Sequence, residues 1–223
     1  EQDFRRNFTS LRLSAEQFTV LSEFVQSELG IRMPPAKRVM LESRLQKRLR
    51  ALSLDSFQDY IDFVFDDSQK EAELLHMIDS VTTNKTDFFR ESDHFDYMTN
   101  RLLPERFRDG WGRDRPLRVW STASSTGEEP YTLAMVLEEF RGEHQGFNYG
   151  ILGTDISTRA LDHGRKAVYT EERVDPVPQS LRKKYLLRSK DRTSRLVRVR
   201  PELRKRVQFH RLNLMHDSWD IGE

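Results

Sequence analysis

Leu117-Arg118-Val119-Trp120-Ser121-Thr122-Ala123-Ser124-Ser125-Thr126-Gly127-Glu128-Glu129-Pro130-Tyr131 opens with a bulky run, passes through a string of small residues and closes on two carboxylates and a proline. A short bulky segment ended by turn residues is the pattern of a buried strand. Pro130 fits the first turn of a helix, and Leu133, Val136 and Leu137 carry that helix on. A second strand is expected over residues 149–154, ending at Asp155, with Ser157 placed to cap a helix through Leu161. Alternating strands and helices predict a parallel sheet flanked by helices, an α/β fold. Two strands leave that sheet unfinished. Leu196-Val197-Arg198-Val199-Arg200 and Val207-Gln208-Phe209-His210 alternate apolar with polar and predict a small antiparallel hairpin or an excursion from the main fold.

Towards the amino terminus the periodicity changes. Residues 14 to about 80 read as helices with short connections and carry no strand signal. Ser14 with Gln17 forms a capping box, Phe18, Leu21, Val25 and Leu29 follow at helical spacing, and Gly30 supplies a stop. Pro34-Pro35 sets up a second helix with a stripe of Leu41, Leu45, Leu49 and Leu52. Two more helices follow, one from Ser56 through Phe57, Tyr60, Ile61 and Val64, the other carrying Leu74, Leu75 and Ile78. Phe95, Met98, Leu102 and Leu103 predict a further helix before the first strand.

Composition narrows the function classes. At 223 residues and 36% hydrophobic content the chain can hold one large domain or two small ones. With 37 Lys+Arg against 36 Asp+Glu there is no whole-molecule pull toward nucleic acid or membrane. No apolar run approaches the roughly 20 residues that span a bilayer. The start, Glu1-Gln2-Asp3-Phe4-Arg5-Arg6, lacks an apolar signal core, so a cytoplasmic protein is expected. The absent initiator Met suggests an excised domain. There is no cysteine, and the six histidines show no HExxH spacing, which excludes thiolate chemistry and argues against a metal site.

In open α/β sheets the ligand lies outside the carboxyl ends of the strands, against the turn after the first. Here that turn runs from Ser121 through Thr122 to Gly127, and its small side chains let backbone approach a ligand closely. Glu128 and Glu129 occupy the helix start that would otherwise draw a pyrophosphate; they repel phosphate and suit an ammonium or sulfonium. GxGxxG and the P-loop signature are both missing. Asp155, at the end of the second strand, is placed to accept from both hydroxyls of a ribose. A phosphate-free nucleoside remains, and S-adenosylmethionine fits. Taken alone, Glu128 and Glu129 equally serve the helix dipole, and Asp155 a helix cap.

A second constellation is Thr83-Asn84-Lys85-Thr86-Asp87-Phe88-Phe89-Arg90. The Arg90 guanidinium is always charged and offers a planar fork matched to a carboxylate. Asn84 and Thr86 would line a pocket mouth, with Phe88 and Phe89 as buried anchors; the bland alternative is a linker with two core phenylalanines. Asn213 is a candidate base-edge partner, or simply a turn residue. Lys37, Arg38, Arg44, Lys47, Arg48 and Arg50 crowd the second helix, with 37, 44 and 48 on one face. That face would attract an acidic surface unless it is merely solvated. Another basic cluster spans residues 182–206. No recognised nucleic-acid motif accompanies either cluster, and the acidic stretch 55–79 offsets the first.

The two constellations, in this order and at this separation, resemble the CheR family of chemotaxis receptor methyltransferases. Ser43-Arg44-Leu45-Gln46-Lys47-Arg48-Leu49-Arg50-Ala51-Leu52, Gly153-Thr154-Asp155-Ile156-Ser157 and residues 196–203 support the likeness. The resemblance implies an all-helical receptor-docking domain over 1–80, a linker over 81–92 contributing to the cofactor pocket, and a Rossmann-like S-adenosylmethionine-dependent methyltransferase domain over 93–223 with a small antiparallel β-subdomain within about 168–210. It implies methylation of glutamate carboxylates on receptors, giving methyl esters and S-adenosylhomocysteine. Asn84, Thr86, Arg90, Thr122, Glu128, Asp155, Asn213 and Leu214 fall on cofactor-binding positions, with Arg90 also catalytic and Glu128 favoured over Glu129. Lys37, Arg38, Arg44, Lys47 and Arg48 become the docking face for acidic receptor helices. A monomer without nucleic acid, metal or membrane insertion is expected. Family members continue into a further core strand with an Asn-Val-x-Ile-Tyr type motif, so the C-terminal strands are expected to be missing here. Ser189-Lys190-Asp191-Arg192-Thr193-Ser194-Arg195 replaces a glycine-rich loop, so tethering to a receptor tail is not expected. The alternatives are a non-catalytic cofactor-binding adaptor and a nucleic-acid methyltransferase.

Overall fold

The computed structural model describes residues 11–66, 70–219 and 221. The amino-terminal stretch read for a leader lies outside them, as do residues 67–69 of the acidic stretch and Asp220, Gly222 and Glu223 at the other end. Two compact units emerge, one from residues 1–83 with 213–223, the other from residues 84–212.

The first unit is helical. In α1 (Ala15–Leu29) the Ser14 hydroxyl accepts from the Gln17 amide and the Gln17 side chain accepts from the Ser14 amide, so the capping box is formed as the sequence predicts. Gly30 ends the helix in the left-handed region at φ 66°. A short 3-10 turn, Pro35–Lys37, leads into α2 (Arg38–Leu52), followed by α3 (Phe57–Phe65), capped by Ser56, and α4 (Lys70–Val81). The core collects the predicted stripes: Phe18, Leu21, Val25, Leu41, Leu45, Leu49, Tyr60, Val64 and Ile78 are buried. It also holds Glu73, which accepts from Arg48 through two bonds of 3.0 and 2.7 Å and from the Tyr60 hydroxyl at 2.9 Å.

The second unit opens with α5 (Asp93–Tyr97), a π-helical turn (Met98–Leu102) and α6 (Leu103–Arg108), which together form the predicted helix. Then follow β1 (Leu117–Thr122), α7 (Glu128–Glu143), β2 (Tyr149–Asp155), α8 (Thr158–Lys166), β3 (Val168–Thr170), α9 (Gln179–Tyr185), β4 (Leu186–Arg188), β5 (Leu196–Val199), α10 (Pro201–Arg204) and β6 (Val207–Arg211). β1, β2 and β6 form a parallel sheet with β2 central, Thr122 opposite Thr154 and Asp155 opposite Arg211, so all three strands end at one edge. β3, β5 and β4 form a separate antiparallel sheet centred on β5.

One expectation is corrected here. Residues 196–200 and 207–210 do not pair as a hairpin: β5 belongs to the small sheet, while β6 is the third strand of the main one. α10 opens at Pro201 between the two strands and separates them. A period-2 pattern identifies a buried face, here Val207 and Phe209, but carries no information on the partner strand. The strands of the small sheet span residues 168–199.

Candidate active site

The turn after β1 is built from backbone as much as from side chains. Ala123, Ser125 and Gly127 take φ of 53°, 51° and 96°. Only glycine fits at 127 for a second reason: a Cβ there would come within 3.0 Å of the Gly164 Cα and the Tyr169 hydroxyl, and 3.2 Å of the Phe209 ring. The turn is tied to β2 at two points. The Ser124 amide donates to the Thr154 carbonyl at 2.8 Å, and the Ser125 amide to the Asp155 carboxylate at 2.7 Å. Asp155 also accepts from the Ser157 amide at 2.9 Å. One bond falls on each oxygen, so each keeps a further lone-pair direction for a ligand hydroxyl. The cap reading of Asp155 thus holds without excluding the ribose reading.

Two buried hydroxyls, Ser124 Oγ and Ser125 Oγ, have no hydrogen-bond partner among the described residues. Buried polar atoms are ordinarily paired. Their position in this turn fits a polar ligand laid against it, and neither the turn nor the helix start supplies a cation for a phosphate.

The paired carboxylates at the start of α7 have different surroundings. Glu128 is 1% exposed; it accepts from the Thr126 hydroxyl at 2.6 Å and from Arg173 Nε at 2.8 Å. Glu129 is exposed, with one oxygen accepting from the Ser121 hydroxyl at 2.6 Å. It lines a polar cavity of about 360 Å³ together with Lys85, Thr86, Asp87, Arg90, His94 and Ala123. The preference for Glu128 as the carboxylate facing a ligand is therefore at odds with the geometry. Adjacent helical positions point about 100° apart, and sequence did not show which of the two turns inward.

Phe88 and Phe89 anchor the segment before α5 as expected. Phe88 is buried edge-on to Tyr169 at 5.0 Å, Phe89 packs on Phe95 at 5.7 Å, and the Phe89 amide donates to the Thr132 hydroxyl at 3.1 Å. Arg90 is exposed, has no ion-pair partner among the described residues, and makes one long bond of 3.4 Å to the Lys85 carbonyl. Its guanidinium is free to take an anion. Asn84 is half-buried at the start of the unit, and Thr122 is exposed at the end of β1, one residue before Ala123.

Two residues that sequence reasoning passed over hold this arrangement. Arg173 joins Glu128 to the Asp87 carboxylate at 2.9 Å and to the Thr86 carbonyl. The Tyr169 hydroxyl donates to the Thr126 carbonyl at 2.8 Å. Neither had a local signal, since the partners of Arg173 lie 45 to 87 residues away in the chain. A larger hollow of about 760 Å³ lies against the small sheet. Three of its cations face its own acids, Arg182 with Asp175 at 3.1 Å and Arg188 and Arg195 with Glu171 at 3.7 and 3.8 Å; it takes in part of the second basic cluster but none of the expected cofactor-binding residues.

The remaining expected site residues lie in the helical unit. Asn213 donates to the Glu28 carbonyl at 2.8 Å and accepts from the Met215 amide at 3.0 Å, and Leu214 is exposed. The basic face of α2 is smaller than its sequence suggests. Arg44 donates to the Val81 and Thr82 carbonyls at 2.8 and 3.1 Å, and Arg48 is spent on Glu73, because Leu45 and Leu49 turn that side of the helix toward the core. Lys37, Arg38 and Lys47 stay exposed.

Comparison with known proteins agrees with both units. Residues 16–82 match the family model described as CheR methyltransferase, all-alpha domain, and residues 84–222 match the one described as CheR methyltransferase, SAM binding domain. A chemotaxis protein methyltransferase of Borreliella burgdorferi is 35% identical over 217 residues, covering 96% of this chain and 75% of that protein. Chemotaxis protein methyltransferase 2 of Pseudomonas aeruginosa is 38% identical over 93% of this chain and 71% of its own length. The chemotaxis protein methyltransferase of Escherichia coli K12 is 35% identical over 95% and 70%. With a helical unit and an α/β unit each matched in turn, the chain belongs to the CheR methyltransferase family, whose cofactor is S-adenosylmethionine.

Proposed function

We propose that this chain methylates glutamate side-chain carboxylates of chemotaxis receptors, producing glutamate methyl esters and S-adenosylhomocysteine. The observation that carries the reading is one cavity lined by both an unpaired arginine, Arg90, and an exposed carboxylate, Glu129, beside the turn that Asp155 ties to β2. When bound, the cofactor would supply a methyl group on a positively charged sulfur for transfer to the substrate carboxylate, the carbon–sulfur electron pair staying on the sulfur of S-adenosylhomocysteine. A glutamate carboxylate is already ionised at neutral pH, with an ordinary pKa of about 4.3, so no general base is needed.

The chain's own residues bind and orient. Asp155 holds the ribose hydroxyls, and Glu129, in place of Glu128, takes the cofactor's ammonium. Asn84, Thr86 and Thr122, in the same unit, complete the set of proposed cofactor positions. Arg90 aims the incoming carboxylate, or holds the cofactor's own, without moving a proton. Catalysis then rests on positioning and charge steering. Lys37, Arg38 and Lys47 form the proposed docking face for acidic receptor helices.

The test is transfer of radiolabelled methyl from S-adenosylmethionine to receptor cytoplasmic fragments. Label that is released as methanol by mild alkali is expected, since esters hydrolyse there. Cofactor binding without transfer would instead make the chain an adaptor.

A further inference from the structure

The β-subdomain reaches the cofactor segment through the Tyr169 ring, edge-on to Phe88 at 5.0 Å, and through the polar contacts of Arg173. Arg173 sits in the 3-10 turn Glu172–Val174 just after β3. Its guanidinium spreads over three partners: Nε donates to Glu128, Nη1 to Asp87 at 2.9 Å and Nη2 to the Thr86 carbonyl. Glu128 belongs to the start of α7, whereas Thr86 and Asp87 belong to the segment that presents Arg90. Neither carboxylate has another cation within ion-pair distance among the described residues. Four residues earlier, Tyr169 supports the turn after β1 through Thr126. Both walls of the cavity are thus braced from the small sheet, yet Arg173 itself does not line that cavity.

We infer that Arg173 is a positioning residue for the cofactor: it fixes residues 84–90 against the start of α7 and couples the β-subdomain to cofactor affinity. This rests on the cofactor reading above. A guanidinium is needed because its planar fork serves three acceptors at once, whereas an ammonium is a point charge. Buried Glu128 complicates a simple deletion, since Arg173→Met strands a carboxylate that is 2% exposed. The double variant Glu128→Gln/Arg173→Met removes both charges together and still severs the links to Thr86 and Asp87.

Calorimetric titration with S-adenosylhomocysteine, run on the full chain beside a thermal scan, separates the possibilities. In the double variant Kd is expected to rise about tenfold or more while the thermal midpoint stays within about 3 °C of the parent. Arg173→Lys is expected to fall between the two. Amide exchange across residues 84–90 should accelerate in the double variant without ligand, and in turnover the KM for S-adenosylmethionine should rise by a larger factor than kcat falls. Parent-like affinity in the double variant would overturn the inference alone. A parent chain that gives no binding would overturn the cofactor reading, and this inference with it.

Discussion

Arg90 is flanked by Phe89 at φ 52° and Glu91 at φ 55°, a region that costs residues other than glycine about 1–3 kcal/mol each. The bend persists because buried Phe88 and the bond from the Phe89 amide to Thr132 fix the chain on either side of the side chain they present. Arg90 contributes little to the fold itself, being exposed with one long bond. Arg90→Ala is accordingly predicted to lower methyl transfer about 100-fold or more, while a urea melt moves by no more than about 0.5 kcal/mol. A variant with near-normal turnover would remove Arg90 from the mechanism. At this scale the sequence was readable where neighbours in the chain do the work: the paired phenylalanines, the obligate cation and the small-residue turn all declared themselves. Arg173 and the contrast between Glu128 and Glu129 did not. The first depends on partners far away in the chain, the second on a rotation of one helical position.

Among the elements, α2 combines two tasks that look alike in sequence. Its five cations, with Lys37 just before it, suggest one solvated or docking face, but Arg48 is an internal partner of Glu73, with their side chains 19% and 3% exposed. Breaking a buried pair from one side leaves the other charge uncompensated. Arg48→Met is therefore predicted to destabilise the chain by about 3–5 kcal/mol in a denaturant titration. Lys47→Glu is predicted to leave stability within about 0.5 kcal/mol and to weaken receptor-fragment binding, most visibly at low salt. Equal destabilisation by the two would contradict the division. Helices were legible through caps and stripes, Ser14 with Gln17 and the leucines of α2 among them, since those signals are local. The partnering of β5 and β6 was not, since alternation specifies a face while α10, between the strands, separates them.

For the molecule as a whole, burial of tyrosine gives a collective signature. Burial, joined by nearby Glu73 for Tyr60, Glu138 for Tyr149 and Glu128 for Tyr169, raises these phenols well above their ordinary value, and burial alone does so for Tyr131. The folded state then holds protons that the unfolded state releases near pH 10, so stability is full below that pH and falls as pH rises beyond it. Tyr185 is raised as well, by burial and by its bond to Glu139, so an alkaline absorbance titration is predicted to show at most one of the six tyrosines ionising while the protein is folded, the rest appearing together with loss of structure. Early ionisation of all six would contradict the packing. Asp155 ties two segments to the end of β2: its carboxylate binds the turn after β1, and its backbone carbonyl receives the Leu212 amide at 3.0 Å beyond β6. The most direct measurement is a crystal structure grown with S-adenosylhomocysteine. The ribose hydroxyls should lie within hydrogen-bonding distance of the Asp155 carboxylate and the amino group beside Glu129; density for the ligand away from this turn would contradict the account.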